Sequence, residues 1–260
     1  MNQLVPALDR SGWYLPRGLA LAVLCLAPLG TVHAAENDHV KIGVGAVVSP
    51  RYQGSDENHV EPAPVVDVRK GRFFASSGDG LGVNIIETPR FTVGAGVNWM
   101  KGYDDSDVPD GIGKLSNALG GRLFVSTRLA GSIITLSATQ AITKSERGLL
   151  ANLRVSYPYS VNERLKIIPS VAANWASDKY MDSYFGISAE QSANSGLARY
   201  SPSAGFKDFS LRVAANYNVS KHWSVVGAVG ASRLVGDAVD SPLVKRKTQV
   251  SGILGVAYTF

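Results

Sequence analysis

Residues 207–219 read KDFSLRVAANYNV, and this stretch decides the fold. Its odd positions Phe209, Leu211, Val213, Ala215, Tyr217 and Val219 are apolar, whereas Asp208, Ser210, Arg212, Asn216 and Asn218 fill most even ones. A strand points successive side chains to opposite faces, so only a strand separates these two sets. The same period recurs along the chain. Leu149, Ala151, Leu153, Val155 and Tyr157 alternate with Asn152, Arg154 and Ser156, and Leu123, Val125, Thr127 and Leu129 oppose Arg122, Ser126 and Arg128. Phe91, Val93, Ala95, Val97 and Trp99 oppose Thr92, Gly94, Gly96 and Asn98, and Leu165, Ile167, Val171, Ala173 and Trp175 oppose Lys166, Ser170 and Asn174. After residue 35 no segment has the spacing of an amphipathic helix.

Composition narrows the choice of β-fold. The 260 residues are 45% apolar, which excludes disorder, and their single cysteine excludes a disulfide scaffold. Only one run approaches the 20 apolar residues of a membrane helix, so a helical bundle is excluded too. Charged residues make up 18%, below the quarter usual for a soluble domain. A soluble β-sandwich would also alternate, but three features favour a membrane barrel. The best strands are about 10 to 13 residues long, enough to cross a bilayer at a tilt. Their apolar faces end in Trp99, Tyr157, Trp175, Tyr217 and Trp223, where interfacial girdles belong. Their polar faces carry Arg122, Arg128, Arg154 and Arg212, which a barrel turns into its lumen. The expected fold is therefore an all-β, antiparallel, up-and-down transmembrane β-barrel.

The N-terminus reads as an export signal. Arg10 and Arg17 precede the apolar residues 18–29, and Val32-His33-Ala34 supplies the small-x-small pattern of signal peptidase. Cleavage after Ala34 is expected, giving a signal peptide of residues 1–34 and a barrel of residues 35–260. The run is too short for a membrane helix and contains Pro28; it continues past Cys25, which argues against a lipidated cysteine. Cleavage discards Cys25 with Arg10, Arg17 and Asp9, so the net charge falls by one from +5. The small charge that remains makes nucleic acid an unsuitable partner.

Connection lengths add independent support. Twelve strands are expected at 39–48, 60–68, 71–76, 81–88, 90–99, 120–130, 132–142, 148–158, 165–176, 206–219, 223–235 and 248–260. Ten is the alternative, because residues 60–88 carry Pro62 and Pro64 and read weakly, and 184–187 could extend a strand above the membrane. Links alternate between tight (69–70, Pro89, Gly131, 159–164, 220–222) and long (100–119, 177–205, 236–247). Short periplasmic turns with longer outer loops are the pattern of a Gram-negative outer-membrane barrel. In the last strand Val250, Leu254, Val256, Tyr258 and Phe260 share one face, and Val256, Tyr258 and Phe260 read as the signal for the barrel-insertion machinery.

Few residues suggest chemistry. Arg122, Arg128, Arg154 and Arg212 with Asp208 could set ion selectivity as a charged ring, or could pair across a closed lumen; a small barrel favours pairing. His222 and Ser224 lie two apart, a spacing that lipid-modifying hydrolase barrels can use. The histidine, however, closes a turn at the wrong leaflet for lipopolysaccharide, so no enzyme is expected. Asp104, Asp105, Asp107 and Asp110 resemble a calcium loop, but Pro109 breaks the spacing and no bidentate Glu follows; a solvated loop is expected, with no metal and no cofactor. Lys245-Arg246-Lys247 stands near the outer rim, within reach of lipopolysaccharide phosphates.

Several blocks resemble the MipA/OmpV family of MltA-interacting outer-membrane proteins. They are Arg51-Tyr52-Gln53-Gly54 with Pro62, Pro64 and Gly71-Arg72-Phe73-Phe74; Ser183-Tyr184-Phe185-Gly186-Ile187 with Ser195-Gly196-Leu197, Tyr200 and Gly205-Phe206-Lys207-Asp208; and Trp223, Arg233-Leu234, Gly236-Asp237-Ala238, Asp240-Ser241-Pro242 and the closing Tyr258-Thr259-Phe260. The resemblance implies an outer-membrane scaffold linking a murein lytic transglycosylase to a penicillin-binding protein, with adhesion and responses to cationic antibiotics among other members. It carries no catalytic motif. The alternative is a small pore, surface receptor or adhesin using the long outer loops. If the scaffold reading holds, periplasmic contacts are expected from Arg69, Lys70, Asn162, Glu163, Arg164, Lys221 and His222. A stable interface buries about 800 Å² per partner, which such turns supply only by acting together.

Overall fold

A computed structural model describes residues 38–260; the signal peptide expected at 1–34 and its cleavage site lie outside the described residues. The strands are β1 (His39–Pro50), β2 (Asn58–Lys70), β3 (Phe73–Ser76), β4 (Gly80–Glu87), β5 (Phe91–Met100), β6 (Ala118–Leu129), β7 (Ser132–Ala141), β8 (Leu149–Ser156), β9 (Tyr159–Ser160), β10 (Leu165–Ala176), β11 (Gly205–Asn218), β12 (Trp223–Leu234) and β13 (Thr248–Thr259). Each neighbouring pair is antiparallel, β13 pairs with β1, and β10 pairs with both β8 and β11, so the sheet closes on itself. With the two-residue β9 set aside, all twelve expected strands are present, and the ten-strand alternative falls.

Alternation sets the two faces. Leu123, Leu211, Val229 and Leu254 point outward and are more than half exposed, as lipid-facing residues must be in a barrel without its bilayer. The inward positions hold Arg122, Thr135, Ser137 and Thr139, all buried. Lys207, which sits at an apolar position in the sequence pattern, is explained by a β-bulge. Asn174 pairs with Asp208 but Trp175 pairs with Phe206, so both Lys207 and Asp208 turn inward. Phe206 and Phe209 both stay outside, stacked at 5.9 Å.

One part of the wall is low. Strand β3 has four residues against the thirteen of β2, and it pairs only with residues 67–70 of β2. Above that level β2 has an edge with no neighbouring strand. Val66 bonds Ser77 through its N–H and C=O, so even-numbered donors of β2 face that edge, and there Pro62 and Pro64 have no N–H to leave unpaired. The weak reading of residues 60–88 thus comes from a real edge.

The long connections differ from expectation. Residues 177–205 were expected to form a long loop in which at most 184–187 extend a strand, yet they hold helix α1 (Asp178–Phe185), followed by α2 (Ala189–Ser195). The expectation that no helix follows residue 35 is corrected on the same finding. The helices have eight and seven residues, too short for a repeating stripe, although their caps are legible. Ser177 accepts from Tyr180 N, Ser188 and Gln191 form a capping box, and Gly196 closes α2 at φ +73°. Ile187 pairs with Tyr200 as an isolated bridge.

Inward glycines make room for aromatic rings. Phe74 and Phe124 meet edge to face at 5.7 Å inside the barrel, and a Cβ on Gly94 would lie 2.3 Å from Phe124 Cζ and 2.8 Å from Val83 O. Gly94→Ala is therefore expected to destabilise the barrel by about 1–3 kcal/mol, read as a lowered urea midpoint for the folded form on cold gel electrophoresis.

Candidate functional site

The two ends of the barrel are built differently. At the loop end, α1 lies against the inward residues that finish the strands: Met100, Ala118, Ala141, Ala176 and Leu234 pack with Tyr180, Met181, Tyr184 and Phe185. The long loops therefore fold back over the mouth, which corrects the expectation that they simply face outward. A second layer of Tyr52, Val108, Ile112, Ile187 and Leu243 ties four connections together above them. Tyr52 OH donates to Leu243 O at 3.1 Å, and Ser241 Oγ donates to Phe185 O at 2.6 Å.

Most polar groups described inside this cap are paired, the buried Arg147 Nε being an exception. Arg147 is fully buried; its guanidinium donates to Lys101 O at 2.9 Å, also bonds Ser116 O and Tyr184 OH, and lies 4.5 Å from the Tyr184 ring centre. Lys207 bonds Asp208 and donates to Gln53 Oε1 at 2.9 Å, and Gln53 Nε2 donates to Tyr180 OH at 3.1 Å. Asp208 Oδ1 also accepts from Asn174 at 2.6 Å. Asp208 was expected among the lumen arginines; the bulge instead places it in the cap as the partner of Lys207. Much of what carried the family resemblance, Tyr52, Gln53, Tyr184, Phe185, Lys207, Asp208 and Ser241, meets here.

The turn end is open. A cavity of about 620 Å³ opens there, lined among others by Arg69, Arg90, Arg122, Arg128, Arg154 and Asp79. Asp79 tips the short β3–β4 turn and was not singled out in the sequence, because only the low wall brings it inside. Its Oδ1 forms an ion pair with Arg122 at 3.0 Å and accepts a hydrogen bond from Arg154 at 2.8 Å. Arg212 is close enough to feel the charges of Arg154 and Asp79. Arg128 lines the mouth of the cavity with no carboxylate partner among the described residues. The lumen is thus filled above and hollow below.

The remaining candidates separate from one another. Arg69 faces Glu87 at 3.8 Å, Asn162 Oδ1 accepts from Arg164 N and Leu165 N at 2.9 Å, and Lys70, Glu163 and Lys221 are exposed on the turns. The His222 ring bonds Thr259 O at 3.0 Å and stacks on Tyr258, while Ser224 is buried with its Oγ unpartnered, so the two do not form a nucleophile and base. Val256 and Phe260 point outward, and Tyr258 joins Trp223 and Phe260 in an aromatic cluster at the turn end. Asp107 is taken by Arg51 at 2.8 Å, and no group of three metal-ligating side chains occurs among the described residues. Lys245 lies 3.8 Å from Asp56.

Residues 42–260 match the family described as MltA-interacting protein MipA. The chain belongs to the MipA family. It is similar to the MltA-interacting protein of Escherichia coli K12, 28% identical with 93% of this chain and 98% of that protein covered. It is also similar to a 24 kDa outer membrane protein of Pasteurella multocida Pm70, 24% identical over 93% of this chain and 97% of that one. Among solved structures, an outer membrane channel from Pseudomonas putida F1 aligns at 13% identity and a TM-score of 0.44, with 90% of this chain and 100% of that one covered. This MipA-family barrel resides in the outer membrane. The family is not a known enzyme family.

Two measurements check this picture. Burial pushes Tyr103 and Tyr180 up to about 12 from 10.0, so the cap's stabilising contribution is whole below pH 10 and is lost as pH rises through about 12. Absorbance titration at the tyrosinate band should show a late step that Tyr180→Phe diminishes. Asp79→Asn, which takes the charge from the carboxylate shared by Arg122 and Arg154, should cost about 1–3 kcal/mol in urea unfolding.

Proposed function

We propose that this MipA-family barrel is a scaffold that holds a murein lytic transglycosylase, and with it a penicillin-binding protein, against its periplasmic face. The observation that carries this reading is the contrast between the two mouths: the outer one is packed by the cap, and the inner one is a hollow of about 620 Å³ rimmed by turns. With the tight turns toward the periplasm, the usual arrangement of outer-membrane barrels, this recessed surface would face the compartment where murein enzymes work. The name of the Escherichia coli relative supports the same reading.

The hollow also meets the objection that tight turns offer too little area. The wall of the hollow, to which Arg69 contributes, adds area to what the separate turns carrying Lys70, Asn162, Glu163, Arg164, Lys221 and His222 offer a partner needing about 800 Å². A role in the envelope's response to cationic antibiotics would follow indirectly, through murein remodelling. Residues 1–34 act as a cleaved signal peptide, and the aromatic end of β13 as the insertion signal.

Simultaneous neutralisation of Arg69, Lys70, Glu163, Arg164 and Lys221 should lower capture of the lytic transglycosylase from cell extract by at least about tenfold, as loss of several interfacial charges does. Unchanged capture would exclude the scaffold role for this rim. Planar-bilayer recording separates the pore alternative, because a capped barrel gives no sustained current steps.

A further inference from the structure

The periplasmic hollow holds more positive charge than its own carboxylates balance. Arg122 and Arg154 share one oxygen of Asp79, Arg122 as an ion pair at 3.0 Å and Arg154 as a hydrogen-bond donor at 2.8 Å, and Arg212 adds its charge nearby. Two other carboxylates on the wall are already engaged: Asp67 by His39 at 3.0 Å and Asp38 by Gly71 N at 2.8 Å. Arg90 and Arg128 have no carboxylate partner among the described residues, yet they stand side by side, with Arg128 N donating to Arg90 O at 3.3 Å. Both line the hollow.

These cations form two stations. Arg122 and Arg128 lie six residues apart on the inward face of β6, which separates them by about 20 Å along the strand. Between them stands Phe124, whose ring lies 4.8 Å from the Arg122 guanidinium and offers an apolar flank. Arginine presents a planar fork that binds carboxylate or phosphate through two parallel hydrogen bonds. A wall of low dielectric strengthens such pairing, and the volume falls in the range of small-molecule sites.

We propose that the hollow is a binding site for an elongated periplasmic polyanion, one anionic group at Arg122 and Arg154 and another at Arg90 and Arg128. The anionic groups are carboxylates or phosphates, and the molecule enters through the turn end. This inference rests on the hollow alone, so it survives loss of enzyme capture, and the scaffold reading survives its failure.

The test uses the full-length mature protein in detergent micelles, with calorimetric titration at low salt. Two probes carry the two chemistries: a synthetic murein stem tetrapeptide for spaced carboxylates, and tripolyphosphate for phosphates. Binding of either is expected, weakening as sodium chloride rises from about 50 to 300 mM because the contacts are ionic. Peptide alone identifies the ligand as a carboxylate, tripolyphosphate alone as a phosphate, and both together as either. The double variant Arg90→Gln with Arg128→Gln should weaken binding about tenfold, whereas Arg246→Gln at the opposite end should leave it unchanged. Both variants lie at exposed positions, and heat-modifiable gel mobility verifies that each is folded. Absence of binding by both probes at millimolar concentration, or full affinity in the folded double variant, would overturn the proposal.

Discussion

A chain within lipid has no water to satisfy its peptide groups, so each N–H and C=O must find a partner in the protein. Every larger feature of this barrel follows from that constraint. The pairing of β13 with β1 and of β10 with β11 leaves no terminal strand in the ring. Alternation then distributes the side chains. One face of each strand must be apolar for lipid, and the other is free to be polar, which is why mean hydropathy lies near zero and charge is scarce.

The same constraint explains the polar interior's two treatments. At the loop end, arginine and lysine are enclosed and held by several partners each: Arg147 by carbonyls and a tyrosine ring, Lys207 by Asp208 and Gln53. At the turn end, arginines line an open hollow that water can fill. Burying an ion pair costs several kcal/mol per ion unless its remaining valences are met, so the cap required the dense network it has. The hollow did not.

Most of the fold was legible because period two is a direct readout of sidedness. Residues 207–219 placed Leu211, Val213 and Tyr217 outside and Arg212 inside, as observed. The exception at Lys207 was visible as a broken alternation, but a bulge depends on the register of the neighbouring strand, which no single segment encodes. Helix α1 escaped notice because Tyr180, Met181, Tyr184 and Phe185 span less than two turns, although Ser177 and Ser188 carried cap signals. Asp79 was illegible for a different reason. It lies in a turn, and only the shortness of β3 tips it inward to meet Arg122 and Arg154, two strands that are distant in sequence. The sequence therefore singled out the arginines but not the carboxylate that two of them share.

The low stretch of wall beside β2 has a mechanical consequence. Separating any other two neighbours in the ring breaks a ladder of backbone hydrogen bonds, whereas this stretch is bridged by the ion pair of Glu61 with Lys101, worth about 0–1 kcal/mol where solvent reaches it. Pro62 and Pro64 remove two donors from that edge, so fewer N–H groups lose a partner when the gap widens. The ring is thus a hoop with a seam, stiff around most of its circumference and compliant along one line, and any deformation of the barrel concentrates there.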